Sequence, residues 1–305
     1  MNNKVLIFFF SLILSQGLTA QEDLFDLLEE TTESTTYTTA TFKGTKVING
    51  QSNEIPAKGV MQFLILHRFG AFSDDFLYNF FGLDNADIRL GFDYSITDWL
   101  NVGIGRSSFQ KTYDGSVKFK LLRQSTGVKN MPISVTGYAA IFINTLKVPD
   151  NVIQEDYHKL SYAYELVVAR KFSDRFSMAI TPSLVHFNLV DASDQPNDIV
   201  ALGLGGRYKF TKRVSLNIEY FPQLIRNTRL ESGQLIDNTN SLSIGFDIET
   251  GGHIFQLFFS NSRGVLDPQF IAQTSGEWQN GDIYFGFNIS RVFTLKKPSI
   301  PEAGF

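Results

Sequence analysis

Cysteine is absent from the 305 residues, which excludes disulfide frameworks, thiolate metal sites, cysteine nucleophiles and anchoring through a lipidated N-terminal cysteine. Long apolar runs are also missing. Beyond the N-terminal stretch nothing approaches the ~18 continuous apolar residues of a membrane helix, so any later membrane attachment must come from the fold. Positive charge is not in excess: 27 Lys and Arg stand against 31 Asp and Glu, and without a concentrated cationic surface nucleic acid is not an expected partner. Histidine is scarce, and His67, His158, His186 and His253 are too dispersed to form a metal-ligand spacing with a carboxylate. The loop acids Asp74-Asp75 and Asp191 with Asp194 lack the ordered oxygens of a dedicated calcium loop. Gly203-Leu204-Gly205-Gly206 has no helix after it to cradle a phosphate. No metal and no cofactor is expected.

What is abundant is aromatic: 29 Phe, 11 Tyr and 2 Trp, while 19% of residues remain charged. Apolar and polar residues must therefore be finely interleaved, unlike a helical membrane protein. Residues 1–20 carry Lys4, an apolar core over 5–14 and a small-residue end at Leu18-Thr19-Ala20, the pattern of a cleavable secretory signal peptide. Residues 21–59 begin with an acidic segment whose Leu24, Leu27 and Leu28 share one face of a short helix. A Thr-rich stretch follows, and then Asn49-Gly50, a tight-turn dipeptide. This segment is expected to form a periplasmic arm outside the wall of the next domain, either a flexible tail or a plug or docking arm.

From about residue 60 the sequence alternates with period two in segments of roughly ten residues, the signature of membrane strands. Over 214–220 one face is Val214, Leu216, Ile218 and Tyr220 and the other Ser215, Asn217 and Glu219. Over 242–249 Leu242, Ile244, Phe246 and Ile248 oppose Ser243, Gly245, Asp247 and Glu249, and segments 176–187 and 200–210 are as regular. With similar alternation near 61–69, 87–96, 99–107, 113–123, 133–144, 159–171, 253–261 and 282–293, the count is about twelve. A soluble β-sandwich would also alternate. Two features favour a barrel: a polar face rich in Gly, Ala and Ser, suited to a narrow lumen, and connections that alternate short and long. Thr97-Asp98, Ser173-Asp174, Thr211-Lys212 and Gly251-Gly252 mark tight turns, with 124–132 moderately short; longer connections lie near 70–86, 146–158, 188–198, 223–240 and 262–281, the one near 108–112 being the short exception. Short periplasmic turns and long extracellular loops give that rhythm. The expected fold is an all-β transmembrane antiparallel up-and-down barrel over 60–295, with a tail over 296–305 and both termini periplasmic.

Trp99, Phe172, Phe176, Phe210 and Phe293 fall near the short turns, where an interfacial aromatic girdle is expected. The last strand carries Ile283, Phe285, Phe287, Ile289 and Phe293 on one face, similar to the C-terminal signal read by barrel-assembly machinery, although Arg291 interrupts it. The stretches 37–45, 88–94, 102–115 and 252–257, the last reading Gly252-His253-Ile254-Phe255-Gln256-Leu257, resemble an uncharacterised family of Bacteroidota outer-membrane barrels. The resemblance covers nearly all of the mature chain; it implies location and fold and brings no activity with it.

Ser260 with Asn261 resembles the Ser-Asn neighbourhood of outer-membrane phospholipases, but the position two residues earlier, a His there, is Phe258. A serine without a base is inert, and no enzyme is expected. The remaining chemistry is electrostatic. If the alternation holds, Asp87, Arg89, Asp93, Lys118, Lys120, Glu165, Arg207, Lys209, Glu219, Asp247 and Glu249 face the lumen, either as a selectivity zone or as mutually paired structural groups. Two functions follow, a small-solute channel or passive transporter, or a structural or partner-binding subunit of an envelope complex, the latter suggested by Phe72, Phe76, Tyr78, Phe80 and Phe81; an outer-membrane lipid hydrolase ranks third, behind both. The expected partners are outer-membrane lipid, the assembly machinery during insertion and an envelope protein.

Overall fold

The computed structural model describes residues 34–75, 77–147, 155–190, 195–225, 228–231, 234–237 and 239–296. The expected signal peptide, the acidic start of the arm, Phe76, Asp191, Asp194 and nearly all of the C-terminal tail lie outside the described residues. Twelve strands close into one barrel. They are β1 Val60–Ala71, β2 Asp87–Ser95, β3 Leu100–Ser107, β4 Thr112–Leu122, β5 Ser134–Asn144, β6 Leu160–Lys171, β7 Phe176–Phe187, β8 Asp198–Lys209, β9 Val214–Phe221, β10 Ser241–Thr250, β11 His253–Ser260 and β12 Tyr284–Thr294. Each pairs antiparallel with the next, and β12 closes on β1 from Thr294 opposite Val60 to Tyr284 opposite Ala71. Closure leaves no strand edge unpaired, which a hydrocarbon surrounding demands.

The polarity is the reverse of a soluble sandwich. In β9 the inward Ser215, Asn217 and Glu219 are buried while Ile218 on the other face is exposed, and in β10 Ser243 and Asp247 are buried while Ile244 and Phe246 are exposed. Ile104, on the outer face of β3, leaves 64% of its surface uncovered. An apolar outer face in water would be an aggregation surface; against lipid it is the stable arrangement. Turns 96–99, 172–175, 210–213 and 251–252 are short and occupy one end with the longer 123–133, whereas connections 72–86, 145–159, 188–197, 222–240 and 261–283 occupy the other together with 108–111, the one short connection there. Trp99, Phe172, Phe176, Phe210 and Phe293 are all exposed at the short-turn end. There Arg170 lies over Phe172 at 5.1 Å and Arg291 over Phe293 at 5.0 Å, placing amphipathic side chains at the expected membrane interface.

Two further strand pairs lie outside the wall. Thr36–Tyr37 pairs with Ser125–Thr126 inside the longest of the short-end connections, and Thr228–Glu231 pairs with Gln234–Asp237 in a long loop. The first pair brings the N-terminal arm to the short-turn mouth of the barrel.

Candidate functional site

From that mouth the arm enters the lumen. Residues 41–54 form a hairpin whose two legs meet through the Lys46 and Gln51 bridge. Ser52 N–H donates to Thr45 O at 3.0 Å, and the tip closes with Val47 N–H to Gly50 O at 2.9 Å. The Asn49-Gly50 turn signal thus marks the hairpin tip, in mid-lumen. Phe42, Val47, Ile48, Asn49 and Ser52 are each at most 3% exposed.

A hairpin inside a barrel has no neighbouring strand for its outward backbone groups, so the wall must supply their partners. Glu219 does this at the tip. Its carboxylate accepts the N–H groups of Ile48, Asn49 and Gly50 at 3.0, 2.7 and 3.0 Å. Asn288 donates to Ile48 O at 3.0 Å and Gln256 to Val47 O at 2.9 Å. Lys118 donates to Thr45 O at 2.8 Å and Ser52 O at 3.3 Å, and Arg207 to Ala40 O at 3.0 Å and Thr41 O at 3.2 Å. The Asn49 side chain donates to Ser243 Oγ at 2.9 Å and accepts from Arg68. Near the mouth Lys43 pairs with Glu249, and Lys120 lies 3.9 Å from Glu54.

A second insert comes from the long-loop end. Residues 262–274 fold inward, carrying helix α1, Asp267–Ala272, whose six residues are all buried. Leu266, Phe270 and Ile271 pack against inward Leu64, Leu66, Phe142, Val185, Ile199 and Phe221, with the Phe270 and Phe221 rings edge to face at 5.0 Å. The inserts meet where Gln51 donates to Asp267 Oδ1 at 3.3 Å, while Tyr138 O–H donates to Asp267 Oδ2 at 3.1 Å. The lumen therefore has an apolar zone around α1 and a polar zone around the hairpin. Between them remains a cavity of about 20 Å³, room for a water molecule or two. At the long-loop end a vestibule of about 260 Å³ opens between α1 and strands β4 to β7. Leu266 lines both spaces.

The structure places the candidate charged residues on the inner face, and most of them hold something. Arg89 clasps Asp114 by two bonds, Nε to Oδ1 at 2.9 Å and Nη2 to Oδ2. It reaches Asp114 by lying over Gly91 and Gly105, where an added Cβ would stand 2.5 and 2.4 Å from the guanidinium. Asp93 lies over Gly103 beside the same cavity. Asp87 accepts from Arg263 at 2.7 Å and Asp247 from Gln256 at 2.9 Å. Glu165 is buried, and Lys209 is partly exposed near the short-turn mouth. The sequence reading missed Arg68, Asp114 and Asp267, of which Arg68 is 1% exposed with its guanidinium 4.1 Å over the Phe258 ring. The hydroxyl of Ser260 has as partners Ser243 Oγ at 2.9 Å, the Ser262 N–H at 3.0 Å and, at 3.5 Å, the Asn49 amide; none of these is a base. Among the described residues no group of three or more His, Asp or Glu is placed to hold a metal ion.

A family model described as a membrane bound beta barrel domain, DUF5777, matches residues 42–293. The chain belongs to this family. The match begins at Phe42, so the DUF5777 domain includes the hairpin as well as the wall. The all-β barrel of twelve antiparallel strands expected from the sequence stands, and so does its place in the outer membrane. No curated protein matches the chain. Among solved structures the DUF5777 barrel is similar to an outer membrane channel from Pseudomonas putida F1, at 12% identity and TM-score 0.48 over 79% of this chain and 97% of that one. It is also similar to OmpF of Salmonella typhi in complex with daunomycin, at 9% identity and TM-score 0.36 over 77% and 97%. The outer membrane channel DcaP of Acinetobacter baumannii matches at 11% identity and TM-score 0.30 over 68% and 63%.

Proposed function

We propose that the protein is a small-solute channel or passive transporter, closed at rest by its own N-terminal hairpin, with both termini on the periplasmic side. The observation that carries this reading is how the polar zone is filled. A permanently solid barrel can be packed by its wall side chains. Here the wall keeps polar groups from Lys118, Arg207, Glu219, Gln256 and Asn288 directed at the backbone of a segment that enters from the mouth. With the hairpin withdrawn, those groups would line a wet passage to Leu266, which borders the vestibule on its far side. Outer-membrane lipid covers the apolar outer face, and the last strand presents the protein to the assembly machinery during insertion.

Planar-bilayer recording tests the proposal. The intact chain should be silent or nearly so, and a variant lacking residues 21–59 should conduct. A correctly inserted, heat-modifiable barrel that stays watertight after the deletion would overturn it.

A second reading, a structural or partner-binding subunit, is favoured by loop 72–86. Leu77 and Tyr78 leave 75% and 81% of their surface uncovered, and Phe80 and Phe81 sit at positive φ of 47° and 60°, a strained backbone that ordinarily needs a reason. Its test is purification in mild detergent, where a strictly monomeric protein with no stoichiometric companion would sink it.

A further inference from the structure

The vestibule has a chemical bias of its own. Its apolar side is Phe142, Leu160, Phe187, Leu189 and Leu266. Its polar side carries a relay of amides with a direction: Gln269 Nε2 donates to Gln110 Oε1 at 3.2 Å, and Gln110 Nε2 donates to Gln273 Oε1 at 3.1 Å. Gln269 Oε1 meanwhile accepts the N–H groups of Val265 and Leu266, both at 3.3 Å. Each carbonyl in the relay already accepts, and the amide that ends it, Gln273 Nε2, is a donor.

The same asymmetry recurs around the rim. Asn144 Oδ1 accepts from Leu146 N–H at 2.9 Å, which turns its Nδ2 group to donation. His158 Nδ1 accepts the Glu155 N–H at 3.2 Å, and this bond fixes the ring proton on Nε2. Lys159 adds an ammonium with three donors; one is used at 2.8 Å by Asp156, whose side chain is 98% exposed to water. That bond holds the Asp156 carboxyl below the usual carboxylate range. No carboxylate is among the described residues that line the vestibule.

A cavity with an ammonium and several amide donors, no carboxylate among its described lining residues and an apolar far wall suits a ligand with the opposite polarity. We propose that the vestibule binds a small monocarboxylate with an apolar body, the carboxylate held by Lys159, His158 and the amide donors and the body lying against Phe142 and Phe187. At about 260 Å³ it lies just below the roughly 300–1,000 Å³ of drug-sized sites, so the acid is small. The inference deepens the channel reading, on which it rests only for the onward route of the bound acid.

The test is equilibrium binding to the intact, detergent-solubilised protein, with benzoate, benzamide and glucose as probes in calorimetry or ligand-observed NMR. Benzoate should bind saturably and at least tenfold more tightly than benzamide. Lys159→Met should reduce benzoate affinity to that of benzamide while leaving benzamide unchanged, and Phe187→Ala should weaken both. Equal affinity for acid and amide, no saturable binding of either, preference for glucose, or indifference to Lys159→Met would each overturn the proposal. A barrel that binds benzoate but stays silent after loss of residues 21–59 would sink the channel reading alone; one that conducts but ignores benzoate would sink the site alone.

Discussion

Replacing Glu219 by Gln removes one negative charge and one acceptor from the clasp on the hairpin tip, and its cost can be worked from the three bonds. Glu219 Oε2 accepts Ile48 N–H and Gly50 N–H, each at 3.0 Å, and Oε1 accepts Asn49 N–H at 2.7 Å. A bond to a charged acceptor is worth roughly 1.5–3 kcal/mol and one to a neutral acceptor about 0.5–1.5 kcal/mol. In Glu219→Gln the remaining carbonyl keeps two bonds, each weaker by about 1 kcal/mol, and the third N–H faces an amide N–H₂ and is lost. Docking should weaken by about 3.5–5 kcal/mol, roughly three powers of ten in the ratio of seated to withdrawn hairpin. Trypsin reads this directly, because Lys43 and Lys46 lie on the hairpin and become cleavable on withdrawal. Where reseating outpaces cleavage, the rate follows the withdrawn population, so cleavage after these lysines should rise about a thousandfold, with flickering conductance in bilayers. Cleavage at the wild-type rate from a barrel that also stays silent would refute the idea that Glu219 holds the hairpin in place.

Gly50→Ala should loosen the hairpin without changing charge, since the new Cβ would stand 2.6 Å from Phe221 Cζ and Phe221 is itself backed by Phe270; a cost of about 1–3 kcal/mol predicts faster tryptic cleavage, and no change would mean that the ring gives way. Asp114→Ala should lower barrel stability by about 3–5 kcal/mol, because it strands a buried guanidinium, and urea titration followed by heat-modifiable gel mobility would show it as a lower midpoint; an unchanged midpoint would mean that water reaches Arg89. Leu266→Ala should raise the conductance of the variant lacking residues 21–59, by widening the constriction between the inner cavity and the vestibule, and leave the intact chain silent. If it changes neither, solutes do not pass Leu266.

The wall was legible because alternation is a local property. In 214–220 and 242–249 a strict period of two assigns the faces without any tertiary information, and Ser215, Asn217, Glu219 and Asp247 lie buried as that period requires. Asn49-Gly50 likewise announced its turn. What escaped was the content of the lumen, which depends on contacts distant in sequence. Arg68 was missed because residues 63–66 of β1 are apolar on both faces: Leu64 and Leu66 point inward to meet the second insert, which obscures the alternation there. A trace of α1 was nevertheless present. Val185 continues the polar face of β7, and Phe142, Ile199 and Phe221 also place apolar groups inward at the long-loop end. Neighbouring strands whose inner face turns apolar at one common end imply that something apolar is seated there. The connection 262–281 read as an exterior loop because a six-residue helix is too short to display a helical period.

The hairpin also bears on the seam where the barrel closes. Ile48 and Asn49, adjacent at the tip, hold Asn288 of β12 and Arg68 of β1, the last and first strands of the wall, which also meet through their own ladder, through Arg68 Nη1 to Asn288 Oδ1 at 3.5 Å and through the stacked His67 and Phe287 rings. Other ties run from the hairpin to β4, β5, β8, β9, β10 and β11, like spokes from a hub. A hoop of strands is soft toward flattening into an ellipse, and spokes that reach most of its circumference oppose that deformation. Because the same tip holds both closing strands, withdrawing the hairpin would loosen the ring at its seam as well as open its lumen.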